Sequence, residues 1–153
     1  MKKFVAVLLA VMLCLSFAAC GGEKATDKTV DAAAMFKTLL TDVTYTDNAT
    51  ELDSSMAGVL LGGELPDGTE AYLAANDSAY LRCAVFACKD KDAAAAVKKL
   101  IQTYIDDSID AKYNVDEVAL LQNAKIHSMG SYVAVAVTSD IDNVNKVIDQ
   151  YFA

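Results

Sequence analysis

The chain has 153 residues, 54% of them apolar, with a formal net charge of −8 and an isoelectric point near 4.5. That length supports one domain with its own core and is too short for two comfortable ones. The acidic balance disfavours nucleic acid and polybasic-style binding to anionic lipid, because like charge repels phosphate.

The first segment reads as an export signal. Lys2 and Lys3 form a positive start, and Phe4 to Phe17 are apolar apart from Ser16 and Cys14. A run this short does not comfortably cross a hydrocarbon core, which needs roughly 20 residues, but it suits a secretory h-region. Phe17-Ala18-Ala19-Cys20 resembles the lipobox of bacterial lipoproteins, with Phe17 where leucine is usual. The resemblance implies cleavage after Ala19, two acyl chains on Cys20 and a membrane contact through that lipid, since two chains anchor stably where one does not. Plain secretion after Ala19 and a retained membrane segment are the alternatives. The expected organisation is a lipoprotein signal peptide over residues 1–19, a flexible tether over 20–28 and one domain over 29–153. Eleven of the thirteen basic residues and all twenty-one acidic ones follow residue 19, so the mature charge is −10.

Along the domain, Thr29 can cap a helix running to about Asp42, with Phe36, Leu39, Leu40 and Val43 at helical spacing. The stretch TYTDNATELD (44–53) reads as a loop, and Asp53 as the cap of a short helix ended by Gly62-Gly63. ELPDGTE (64–70) reads as a turn and TEAYLAAN (69–76) as a short helical piece. Ala79 to Cys88 is the first clear strand, alternating Leu81, Cys83, Val85 and Ala87 against Tyr80, Arg82, Ala84, Phe86 and Cys88. The segment 89–113 is the strongest helix, capped by Asp90 or Asp92, with Val97, Leu100, Ile101, Tyr104 and Ile105 as its stripe. Asn114 opens a shorter helix, and Glu117 three positions on makes a capping-box arrangement. Two strands flank Met129-Gly130, and Ser139 or Asp140 caps a closing helix. The expected fold is α+β: a mixed sheet of about three strands, a crossover helix followed by a β-hairpin, helices packed on the sheet, a helical N-terminal part and a C-terminal helix.

Residues from about Leu81 to Asp140 resemble an uncharacterised family of small lipoproteins from Gram-positive bacteria, classed as a domain of unknown function. The resemblance is carried by Asp90-Lys91, Tyr113, Gly130-Ser131-Tyr132-Val133 and Asp140; Val115 stands where the family often has proline, and Ala79-Tyr80 where it has acidic residues. It implies export and a lipid anchor, and no activity.

Chemistry is sparse. Cys83 and Cys88, five apart in a strand, are about 16 Å apart on opposite faces, too far for a disulfide between them. They read as buried thiols. His127 is the only histidine, so a multi-histidine metal site is excluded, and HSMGSY (127–132) is a hairpin rather than a nucleophile elbow. Asp106 and Asp110 share a helix face, either as solvated residues or as a cation or partner contact. SDIDN (139–143) lacks the glycine and distal glutamate of a calcium loop, and capping explains Asp140 and Asp142. Tyr113 and Tyr132 are candidate contacts for a ligand, with core packing as the plainer reading. No catalytic residue, metal or cofactor is expected. The expectation is a lipid-anchored, extracytoplasmic, non-catalytic domain that binds an unknown protein or small molecule. An envelope hydrolase using carboxylates such as Asp106 and Asp110 is the alternative, with an accessory subunit of a membrane complex as the third reading.

Overall fold

The computed structural model describes residues 28–111 and 114–153. The expected signal peptide, the lipidated Cys20 and the expected tether up to residue 27 lie outside the described residues, as does Tyr113. The described elements, in chain order, are α1 (Ala32–Asp42), β1 (Thr50–Leu52), α2 (Met56–Leu61), β2 (Glu70–Ala75), β3 (Leu81–Ala87), α3 (Lys91–Asp110), α4 (Val115–Asn123), β4 (Lys125–Met129), β5 (Tyr132–Ala136) and α5 (Ile141–Phe152).

The α+β class holds, but the three-stranded mixed sheet does not. The strands form one five-stranded sheet in the order β1-β2-β3-β5-β4, and every neighbouring pair is antiparallel. Two strands account for the difference. β2 occupies the stretch read as helical, because its Ala71 and Leu73 feed one buried cluster while Tyr72 and Ala74 meet the other. That is a period of two, and tertiary burial on both faces overrides the helical preference of alanine and leucine. β1 lies in the stretch read as loop, three residues pairing with Ala75, Ala74 and Leu73. The α3 connection does join two strands of the same direction, β3 and β4, but β5 is inserted between them.

Helices cover both faces. Ala57 and Leu61 of α2, Val97, Ile101 and Ile105 of α3, and Leu121 of α4 pack on Leu73, Leu81, Ala84, Phe86, Val133 and Val135. On the other face Met35, Phe36 and Leu39 of α1 and Val144, Val147 and Ile148 of α5 close over Cys83, Val85, Ala134 and Ala136. Each fully buried Val, Leu, Ile, Phe or Met side chain among these contributes roughly 1.5–3 kcal/mol. A central strand covered on both sides needs apolar residues at consecutive positions, and Leu81 to Phe86 are all buried.

The helix ends are set locally. Asp31, rather than Thr29, caps α1 by accepting from the Ala34 amide at 2.9 Å. Asp90 caps α3 through the Ala93 amide at 2.7 Å, and Asn114 caps α4 through the Glu117 amide at 2.8 Å. Asp140 heads α5 without a side-chain cap bond; its carboxylate instead accepts from the Thr44 amide and from Asn143 Nδ2, both at 2.9 Å. Gly130, with φ +56°, takes the first place of the two-residue β4–β5 turn, which a type II′ hairpin reserves for glycine.

Candidate functional site

One end of the sheet departs from regular geometry. Ala74 pairs with Cys83, but Ala75 pairs with Leu81, so Arg82 is the extra residue of a β-bulge. The bulge resets the alternation: Leu81 joins the face of Phe86, while Cys83 joins the face of Val85. Arg82 is thereby released from both apolar clusters, although it is only 1% exposed.

Its guanidinium has five N–H donors, and five hydrogen bonds meet it. Nε and Nη2 hold the two oxygens of Asp47 at 2.6 and 2.9 Å. Nη1 and Nη2 hold the two oxygens of Glu117 at 2.8 Å each, and Nη1 also reaches the Leu81 carbonyl at 3.2 Å. Two bidentate pairs on one fork suit arginine alone, since a lysine ammonium cannot match that planar geometry. Burial by itself would lower the Arg82 pKa, but the bonds to Asp47 and Glu117 outweigh it and raise it. The guanidinium in turn holds the Asp47 carboxyl down at about 2. Glu117, read as a capping-box residue, spends its side chain on Arg82, and only its amide serves the Asn114 cap.

Asp47 continues the network outward, accepting from Asn76 Nδ2 at 2.7 Å. Asn76 opens the β2–β3 turn. Its Oδ1 accepts from the Ser78 and Tyr80 amides, and its backbone N–H bonds the Tyr80 carbonyl. Ala79 sits there at φ +61°, a left-handed position usually given to glycine in a three-residue hairpin loop.

This turn forms one wall of an open cleft of about 580 Å³. Leu52 at the end of β1 and Met56, Val59 and Leu60 of α2 supply an apolar wall; Tyr80 and Tyr104 are its aromatic members, and Asn76, Asp77 and Ser78 its polar rim. The Tyr104 hydroxyl accepts from the Leu81 amide at 3.0 Å, fixing α3 to the start of β3. Val59 is 74% exposed and Met56 42%, so these two apolar side chains of α2 face solvent while its Ala57 and Leu61 face the core. The volume falls within the range of small-molecule sites, and the lining has their usual composition of apolar surface with a few polar groups.

The residues singled out in the sequence lie elsewhere. Tyr132 is half-buried at the start of β5 and packs against the α1–α5 cluster. Asp106 and Asp110 are exposed on α3, where Asp106 accepts from Gln102 Nε2 at 2.9 Å. His127 is half-buried on the edge strand β4, and burial, then Lys125, lowers its pKa. Cys83 and Cys88 are buried on opposite faces, as expected, and burial pushes the Cys83 thiol up to about 12. Among the described residues no group of three or more His, Cys, Asp or Glu side chains could hold a metal ion. Likewise no described helix is long and apolar enough to cross a membrane.

Sequence reading passed over Arg82 and Asp47 because neither sits in a motif. The available sign was a guanidinium in the middle of an otherwise apolar strand, where an unpaired charge is very costly and a partner is therefore required. The cleft residues left no periodic trace, coming from three separate segments.

No curated protein and no solved structure matches the chain. A domain of unknown function, described as Domain of unknown function (DUF4358), is found at residues 66–138, a span that carries β2 to β5 with Arg82, Glu117 and the Asn76–Tyr80 turn, and leaves α1, β1, α2 and α5 outside it.

Proposed function

We propose that the protein is a lipid-anchored, extracytoplasmic binding domain with no catalysis of its own, which takes its ligand or partner in the cleft beside the Asn76–Tyr80 turn. The cleft carries the reading: it joins apolar and aromatic surface to a short polar rim, and a buried ion network braces the turn beside it. The anchoring half rests on Lys2, Lys3, the apolar run to Phe17 and the Phe17-Ala18-Ala19-Cys20 box.

The placement of the cleft supports the combination. Lys28 bonds the Ala153 carbonyl at the end of α5, and α1 runs from there to Thr44, which meets Thr138 and Asp140 at the far end of β5. Arg82 and the β2–β3 turn stand at that far end. The cleft therefore lies at the end of the domain away from Lys28, about 20 Å along the sheet, the length of a seven-residue strand. Mass spectrometry of the membrane form tests the anchor: a diacylated N-terminal Cys20 is expected, and an intact Met1 terminus overturns it. Fluorophores placed singly at Lys28 and Asp77 in a bilayer containing a headgroup quencher test the orientation. Stronger quenching at position 28 is expected, and the reverse order overturns the outward cleft.

A further inference from the structure

The charge around the cleft restricts what can occupy it. Between Lys37 and Arg82 there is no lysine, arginine or histidine, while Asp42, Asp47, Glu51, Asp53, Glu64, Asp67, Glu70 and Asp77 all fall there. That segment builds β1, α2, β2 and the turn, which together supply all the described lining of the cleft except Tyr104. Tyr104 itself is followed by Asp106 and Asp107. Arg82, the nearest cation in sequence to the turn, is buried and shared between two carboxylates, so the cluster it belongs to is net negative.

We propose that the cleft binds a small organic cation, a primary or quaternary ammonium carried on an apolar or aromatic body; this rests on the reading of the cleft as the binding site. Asp77 on the rim supplies the counter-charge. Tyr80 and Tyr104 supply ring surface, which attracts ammonium groups through the negative face of the π-system. Met56 and Val59 supply the surface that an apolar body would cover. An apolar wall on one side also concentrates the field of the carboxylates across the opening. A bare metal ion does not fit, since a cation of that kind needs converging oxygen or nitrogen ligands and, among the described residues that line the cleft, only Asp77 is charged. Phosphates and fatty-acid carboxylates are repelled. A volume of about 580 Å³ suits a molecule of drug size rather than a protein segment.

The test compares three probes of one shape: phenethylammonium, neutral 2-phenylethanol and anionic 3-phenylpropanoate. They are titrated, up to about 10 mM where weak binding still registers, against the processed protein in nanodiscs. The readout is the methyl resonance of Met56, assigned through Met56→Leu. Phenethylammonium should move this signal with an affinity roughly tenfold above phenylethanol and weaken as salt rises. Asp77→Asn, an exposed change that leaves the turn's backbone bonds in place, should remove most of that advantage. Equal affinity for the three probes, or preference for the anion, overturns the cation assignment and leaves the cleft as the binding site. Absence of any Met56 shift with all three overturns both.

Discussion

Replacing Arg82 by methionine should be among the most damaging single changes in the domain. The side chain keeps much of its length, so the perturbation is chiefly electrostatic. What remains is Glu117, 4% exposed, with both carboxylate oxygens stripped of the 2.8 Å bonds that satisfied them. Asp47 suffers less, because its side chain is 40% exposed and regains water. Removing one member of a buried ion pair typically costs about 3–5 kcal/mol, mostly the penalty on the charge left behind. Against a total stability on the order of 5–15 kcal/mol, that is a large fraction. The source of the loss can be checked, because Arg82→Met combined with Glu117→Leu removes the orphaned carboxylate as well. The pair of changes should cost less than the sum of the two single ones by at least about 2 kcal/mol. Urea unfolding of the four proteins gives that coupling directly. Additive losses, or an Arg82→Met cost under about 1 kcal/mol, would refute the claim that the guanidinium is held by a desolvated partner.

Other measurements reach separate parts of the structure. The Asp47 carboxyl is held at about 2 in the folded chain against 3.8 without its partners, so its contribution is present above pH 3.8 and is lost as the pH falls towards 2. Given the exposure of Asp47, this should amount to roughly 1 kcal/mol between pH 6 and pH 2.5, and Asp47→Asn should flatten that part of the stability curve. Cys83, with its thiol pushed up to about 12, should react with a disulfide reagent at pH 8 about a thousandfold more slowly than in unfolded chain; rapid labelling of the native protein contradicts its burial. Ala79→Gly should stabilise the domain by about 0.5–1 kcal/mol, because the left-handed φ costs alanine more than glycine loses in chain entropy. A lowered melting temperature for that variant would contradict the strained turn.

What the sequence reveals follows from how local each signal is. α3 and α5 carry apolar residues at helical spacing over three to five turns, and β3 and β5 alternate over several residues, so periodicity finds them. β2 is short and rich in alanine and leucine, and its alternation of Ala71 and Leu73 against Tyr72 and Ala74 competes with a helical preference. β1 has three residues, too few for any pattern; it is a strand only because β2 offers it an edge to pair with. Without these two strands the sheet reads as three-stranded, although it has five. Tyr132 stands out in the sequence as an aromatic residue beside a turn, but in the fold it packs against the α1–α5 cluster. Asp106 and Asp110 share a face, and that face is solvent.

The cleft was illegible for a further reason: its position depends on a one-residue irregularity. Were β3 regular, Ala75 would pair with Arg82, and the side chain of Arg82 would point into the apolar layer holding Ala84 and Phe86. The extra residue turns the guanidinium to the end of the sheet, where the α1–β1 loop brings Asp47 and α4 brings Glu117. Asp47 then holds Asn76, and Asn76 holds the Ser78 and Tyr80 amides that shape the cleft's turn. The charge that makes the strand costly to bury is thus the same charge that braces the turn. The path from Glu117 to Tyr80 runs through four polar links, Glu117 to Arg82, Arg82 to Asp47, Asp47 to Asn76 and Asn76 to the Tyr80 amide, none of which belongs to the apolar wall. A change at Glu117 should therefore alter the cleft without touching it, which separates bracing of the turn from direct contact with a ligand.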